Sequence, residues 1–206
     1  MGLASRREAD KLVEDGLVTI NGTPAKNGTI VQEGDDVAVK GPKKAMVYLA
    51  YHKPRGLATQ DLPGKPSVIE QFKPQGLYPV GRLDKESEGL LILTNDGRLV
   101  REMLSENPIY EKEYIVHVKE AIRAGIPAIF ASGMKTESLG QLLPAKAELM
   151  GKSIMRVVLN EGKRHQIRVM MSELHYTITS LKRVRIGTIN LGSLKPGETR
   201  TIKIKL

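Results

Sequence analysis

Along the first forty residues the apolar positions switch from a helical to an alternating period. Ser5-Arg6-Arg7-Glu8 has the form of a capping box, Ser5 accepting from a backbone N–H and Glu8 reaching back, and Ala9, Leu12 and Val13 follow at the spacing of one helical face. Gly16 is placed to end that helix. Leu17-Val18-Thr19-Ile20 then predicts a strand, Asn21-Gly22 a tight hairpin turn, and Asp36-Val37-Ala38-Val39-Lys40 a further strand. Gly41-Pro42-Lys43-Lys44 has the composition of an exposed linker, so residues 1–42 form one small helix-plus-sheet module and 46–206 a second domain.

Beyond the linker, Met46 to Tyr51 predicts a strand. Glu113 to Val118 alternates so that Tyr114, Val116 and Val118 share a face, and Ile154 to Leu159 predicts a third strand. Residues 164–175 place Ile167, Met170, Met171 and Leu174 on one helical face, with Arg164 and Arg168 together on another. Leu181 to Ile186 and Thr201 to Ile204, flanked by Gly187, Gly192 and Gly197, predict short closing strands.

Composition narrows the function classes. At 206 residues and 40% hydrophobic content the chain can bury a real core. It has no stretch approaching the ~20 apolar residues of a membrane span, and its N-terminus lacks the apolar centre of a secretion signal, which points to the cytoplasm. The absence of cysteine excludes disulfides, thiolate chemistry and Cys-rich zinc sites. The net charge of +9 is unevenly placed. Residues 1–44 hold seven basic and seven acidic side chains, 45–151 thirteen of each, and 152–206 twelve basic and three acidic. An excess confined to the last quarter suggests a polyanion, nucleic acid first, although a solvated basic face would look the same on charge alone.

Several catalytic classes lack their residues. Gly56 to Gly64-Lys65-Pro66 misses the spacing and the Ser/Thr of a phosphate loop, and His52, His117, His165 and His175 stand at no metal-ligand spacing, so neither a metal nor a cofactor is expected. The densest signal is Gly81-Arg82-Leu83-Asp84-Lys85-Glu86-Ser87-Glu88-Gly89, then the apolar run Leu90 to Leu93 and an Asn95-Asp96-Gly97 turn. That pattern sets Asp84 on a loop held by a rigid strand, a common place for a catalytic group, although Asp also favours turns for its own hydrogen bonding. Paired-carboxylate hydrolysis with Glu86 or Glu88 beside Asp84 would need two carboxyls flanking one bond, which neighbours on one loop rarely do.

The 81–97 stretch resembles the catalytic-aspartate motif of the ribosomal RNA pseudouridine synthases, in the RsuA-type group that carries an N-terminal S-four-type RNA-binding module. Glu111-Lys112-Glu113-Tyr114 resembles that family's lysine-aromatic strand motif, and Glu161 to Arg168, Glu-Gly-Lys-Arg-His-Gln-Ile-Arg, its arginine-bearing helix. Ser5 to Gly41 resembles the S-four-type module, and Leu181 to Gly187 with Leu194 to Glu198 the closing strands. Family members usually carry another basic helix before the Ser-Arg-Arg-Glu segment, which points to an incomplete front module here.

The resemblance implies an α+β fold: the small RNA-binding module, then a mixed, largely antiparallel β-sheet catalytic domain with flanking helices. It implies isomerisation of a uridine in ribosomal RNA, large-subunit RNA by preference over small-subunit RNA or tRNA, by a cytoplasmic monomer. Asp84 is then the reacting carboxylate, Arg168 the cation that keeps it charged where water is excluded, and Tyr114 the ring that stacks on the uracil or its hydroxyl a proton-transfer group. Arg82, Lys163, Arg164, Lys182, Arg183 and Arg185 are the candidates for RNA contacts, with Arg6, Arg7 and Lys11 on the first helix. A non-catalytic RNA-binding protein is the rival reading, and it would have no need of Asp84.

Overall fold

A computed structural model describes residues 6–41, 45–61, 64–104 and 110–204, with side chains from Ala9 onward in the first helix. Ser5 of the expected capping box, the side chains of Arg6, Arg7 and Glu8, and linker residues 42–44 lie outside that description. No helix among the described residues is long and apolar enough to cross a membrane.

The front module forms as its pattern predicts. Helix α1 (Arg6–Glu14) ends at Gly16, whose φ of +68° suits a residue without Cβ. Strands β1 (Val18–Ile20), β2 (Thr23–Pro24) and β3 (Val37–Val39) pair antiparallel in the order β2-β1-β3. Asn21 and Gly22 join the first two with φ of +49° and +79°, the mirror-image turn that Asn-Gly favours.

The chain then runs β4 (Tyr48–Lys53), α2 (Val68–Phe72), β5 (Tyr78–Val80), β6 (Glu88–Thr94), α3 (Gly97–Leu104), β7 (Lys112–Val118) and α4 (Ile126–Ala131). It continues with β8 (Lys135–Thr136), β9 (Gly140–Gln141), β10 (Lys146–Gly151), β11 (Ile154–Leu159), α5 (Gln166–Glu173), β12 (Ile178–Ile186), β13 (Ile189–Asn190) and β14 (Thr199–Thr201). One sheet of order β10-β11-β7-β12-β6-β4-β14, with β13 on β12 and β5 on β6, carries these elements. Its pairs are antiparallel except β6 with β12, so the mixed, largely antiparallel sheet expected from the sequence is present.

Strand β6 explains its own unbroken apolar run, since both its faces are covered. Leu90 and Ile92 join Ala50, Leu99 and Met103 in one cluster, while Leu91 and Leu93 join Tyr51, Val68 and Phe72 in another. A third cluster packs Val116 and Val118, with Tyr114 at its margin, against Ile167, Met170 and Met171 of α5 and Phe130 of α4.

Two local readings need correction. Asn95-Asp96-Gly97 is not a free-standing turn but the start of helix α3: the Asp96 carboxylate accepts from the Arg98 backbone N–H at 3.0 Å and pairs with its guanidinium at 2.8 Å. Arg164 does not share a helical face with Arg168, because α5 begins only at Gln166, after His165 in a left-handed conformation. Arg164 belongs to the loop before it.

Candidate active site

Asp84 sits between β5 and β6 on a loop braced from three directions. The Thr59 hydroxyl donates to the Leu83 carbonyl at 2.7 Å and accepts from its N–H at 3.1 Å, and the Ser87 N–H closes a turn on the Asp84 carbonyl at 3.0 Å. From below comes Lys53, the last residue of β4, fully buried. Its ammonium donates to the carbonyls of Pro54 (2.9 Å) and Leu57 (2.6 Å) and lies 3.5 Å from that of Lys85. Burial pushes the Lys53 pKa down to about 8, with Asp84, Glu86 and Glu88 pulling the other way.

The Asp84 carboxylate faces two side chains from the start of α5. Arg168 Nε lies 3.4 Å from Oδ2 and His165 Nε2 3.3 Å from Oδ1. Arg168 is itself fixed, its Nη2 donating to the Glu86 carbonyl at 3.0 Å and the Ser87 hydroxyl at 2.9 Å. The guanidinium therefore grips both the carboxylate and the turn that presents it.

A cavity of about 550 Å³ opens beside this pair, lined by Asp84, Lys112, Tyr114, His165 and Arg183, with Leu104 among its apolar residues. Tyr114, from β7, is half-buried. Arg183, its partner in the β7–β12 ladder, lies over the ring with Cζ 5.9 Å from the centroid. A carboxylate held by a guanidinium and an imidazole, next to an aromatic ring in a concave site, suits a reaction in which positive charge develops on a sugar.

Residues 47–173 match the family described as RNA pseudouridylate synthase, and residues 1–37 match the S4 domain. The chain belongs to the RNA pseudouridylate synthase family. Among its relatives, "Ribosomal large subunit pseudouridine synthase B" of Bacillus subtilis (strain 168) is 34% identical over 98% of this chain and 88% of that protein. "Dual-specificity RNA pseudouridine synthase RluF" of Escherichia coli (strain K12) is 36% identical over 98% of this chain and 72% of that protein. A solved structure described as a pseudouridylate synthase superposes with a TM-score of 0.72 at 27% identity, covering 97% of this chain and 90% of that one.

In this pseudouridylate synthase, Asp84 and Arg168 come into contact, and Tyr114 lines the same cavity as Asp84. Arg82 and Arg164 are exposed at that cavity, Arg82 donating to Gln60 at 2.8 Å. Lys163 also lines it, but its ammonium is engaged by the carbonyls of Leu139 (3.1 Å) and Gln141 (2.8 Å). Lys11 is exposed on α1.

The three basic residues of β12 do not act as one RNA-facing set. Arg183 is 4% exposed and turned inward, donating from Nε to the Leu90 carbonyl at 2.8 Å, so it reaches no surface phosphate. Arg185 pairs with Glu113 and Glu111, each at 2.8 Å, and donates to the Gly187 carbonyl at 2.7 Å, so its charge is neutralised. Lys182 lies with Glu88, His117 and Ser180 on the sheet face opposite Tyr114.

Three further residues complete the site: His165, Lys112 and Lys53. His165 stands three residues before Arg168, a spacing that would have indicated a shared partner. Lys112 belongs to the lysine-aromatic motif. Lys53 gives no sequence signal, being a lysine at the end of an apolar strand.

Proposed function

We propose that this chain isomerises a specific uridine of ribosomal RNA to pseudouridine, with Asp84 as the reacting carboxylate, Arg168 as its paired cation and Tyr114 as the ring that stacks on the uracil. The observation that carries the reading is the Asp84 carboxylate held between Arg168 and His165 at a cavity that Tyr114 also lines. Residues 1–42 then act as the RNA-binding module and 46–206 as the catalytic domain of a cytoplasmic monomer.

Asp84 either bonds to the anomeric carbon or takes a proton from the neighbouring ribose carbon. In both routes the base leaves, turns and rejoins through its carbon 5, and nothing is consumed. Extruding the uridine costs a few kcal/mol, least in loops and bulges, and exposed cations at the cavity, Arg82 and Arg164, are suited to hold the flanking phosphates.

Large-subunit RNA is the favoured substrate, supported by the large-subunit specificity in the name of the Bacillus relative. Mapping pseudouridines across ribosomal and transfer RNA with and without the gene tests this directly. Loss of one or a few sites in large-subunit RNA is the expected result, and an unchanged map would overturn it.

A further inference from the structure

We propose that Arg183 and Lys112 form an anion subsite that carries the negative charge of the uracil while it is detached from ribose. The inference rests on the isomerisation proposed above and concerns the part of that reaction Asp84 does not serve. When the bond from ribose C1′ to uracil N1 breaks, its electron pair leaves with the base. If Asp84 bonds to C1′, the carboxylate becomes a neutral ester and the uracil an anion; if Asp84 removes the C2′ proton, the carboxylate becomes a neutral acid and the uracil again an anion. Rejoining reverses the transfer. The pair at C5 forms the new bond to C1′, the carboxylate is released or the C2′ proton returned, and the base loses its C5 proton and gains one at N1.

One unit of negative charge therefore moves from Asp84 to the base and back. Arg168 cannot follow it, being tied to the Glu86 carbonyl and the Ser87 hydroxyl. A second cation is needed where the base lies.

The cavity supplies two. Arg183 is buried, with Nε bonded to the Leu90 carbonyl at 2.8 Å and Nη1 3.4 Å from both the Arg82 carbonyl and the Tyr114 hydroxyl, while Nη2 has no partner. Lys112 stands two residues before Tyr114 on the same face of β7 and lines the same cavity. Neither forms an ion pair with a carboxylate among the described residues. Burial holds the Lys112 pKa below its ordinary value, and repulsion from Arg183 adds to the effect, so the two cations oppose each other across the cavity.

A buried guanidinium with an idle amino group is costly, and elsewhere the same sheet avoids that cost. Two residues along β12, Arg185 is met by Glu111 and Glu113 on the other face. The cavity face keeps its cations unpaired and sets them around the ring proposed to stack on the base. A planar anion with charge shared over its ring nitrogens and carbonyl oxygens fits the idle donors.

The test is single-turnover cleavage of the C1′–N1 bond in an RNA fragment whose target position is either uridine or 5-fluorouridine, for the unaltered enzyme, Lys112→Met and Arg183→Lys. Fluorine stabilises the departing anion and lowers the demand on the subsite. Each variant is expected to cleave uridine about 10²-fold more slowly, to recover roughly tenfold of that loss on 5-fluorouridine, and to bind RNA as before. Lys112 is only partly buried, so Lys112→Met decides the matter if Arg183→Lys fails to fold. Equal losses on both bases, or a loss that tracks RNA affinity, would overturn the subsite while leaving the isomerase reading intact. Failure of the unaltered enzyme to isomerise any uridine would overturn both.

Discussion

Asp84 meets His165 and Arg168 because helix α5 begins on a left-handed residue: His165 has φ of +56°, which turns the chain so that two side chains three residues apart converge on one carboxylate. His165→Asn tolerates that backbone and removes only the imidazole. It should slow turnover about tenfold with little change in melting temperature, whereas His165→Val should lower both, since a β-branched residue is strained there by about 1–3 kcal/mol. Arg168→Lys keeps the charge but loses the fork that reaches the carboxylate, the Glu86 carbonyl and the Ser87 hydroxyl together. Single-turnover rates should fall by about 10²-fold or more with RNA affinity unchanged, and a parallel fall in affinity would make Arg168 a phosphate contact instead. At this scale Asp84, Arg168 and Tyr114 were legible because each lies in a local motif. His165 was not, because its partner Asp84 lies on a loop far away in sequence, and buried Lys53 was not, because its partners are backbone carbonyls that no side-chain pattern announces.

Among the elements, the parallel pairing of β6 with β12 holds the two halves of the sheet together through Lys182 with Glu88 and Arg183 with Gly89. Gly89 has φ of +110°, and a Cβ there would lie 2.2 Å from the Arg183 carbonyl oxygen. Gly89→Ala combines backbone strain with a collision against main chain, so a loss of roughly 3 kcal/mol or more in denaturant unfolding is expected. Lys53 gives this region a pH dependence. Its folded pKa of about 8 lies below the ordinary 10.5, so from about pH 8 upward the unfolded chain holds the extra proton and stability rises with pH, by at most about 1.4 kcal/mol per unit. Lys112, shifted the same way, adds to the rise. Tyr48, Tyr51 and Tyr110, whose pKa values are raised mainly by burial, reverse the trend above about pH 10. Urea midpoints between pH 7 and 10 should therefore climb, and Lys53→Met should flatten much of the slope; a midpoint that falls with pH in the native protein would contradict the burial of Lys53. The long strands were legible from alternation or an unbroken apolar run. Helices α2 and α4 span five and six residues, too few for a 3.6-residue period to show, and α3 was hidden behind an Asn-Asp-Gly sequence whose Asp serves as a cap.

For the whole molecule, the +9 excess of residues 152–206 does not translate into an equal positive surface. Arg156 is paired with Glu148, Arg168 with Asp84 and Arg185 with two glutamates, while Arg183 is buried. Counterion release should instead come from exposed cations near the cavity. Replacing Arg82 and Arg164 by Gln should flatten the slope of log affinity against log salt by about 0.7 per lost contact on single-stranded RNA. Arg185→Gln should cost stability more than affinity, because it strands Glu113 and leaves Glu111 only Lys146 at 4.0 Å, and the opposite ordering would restore it to the RNA surface. The sequence revealed the amount of charge but not which charges face one another across strands. The central claim, that Asp84 drives isomerisation of uridine in ribosomal RNA, is tested most directly by release of tritium from carbon 5 of uridine under excess enzyme. The unaltered chain should release one equivalent per target site and Asp84→Asn should bind the same RNA yet release it at least about 10³-fold more slowly; comparable release by the Asn variant would contradict the account.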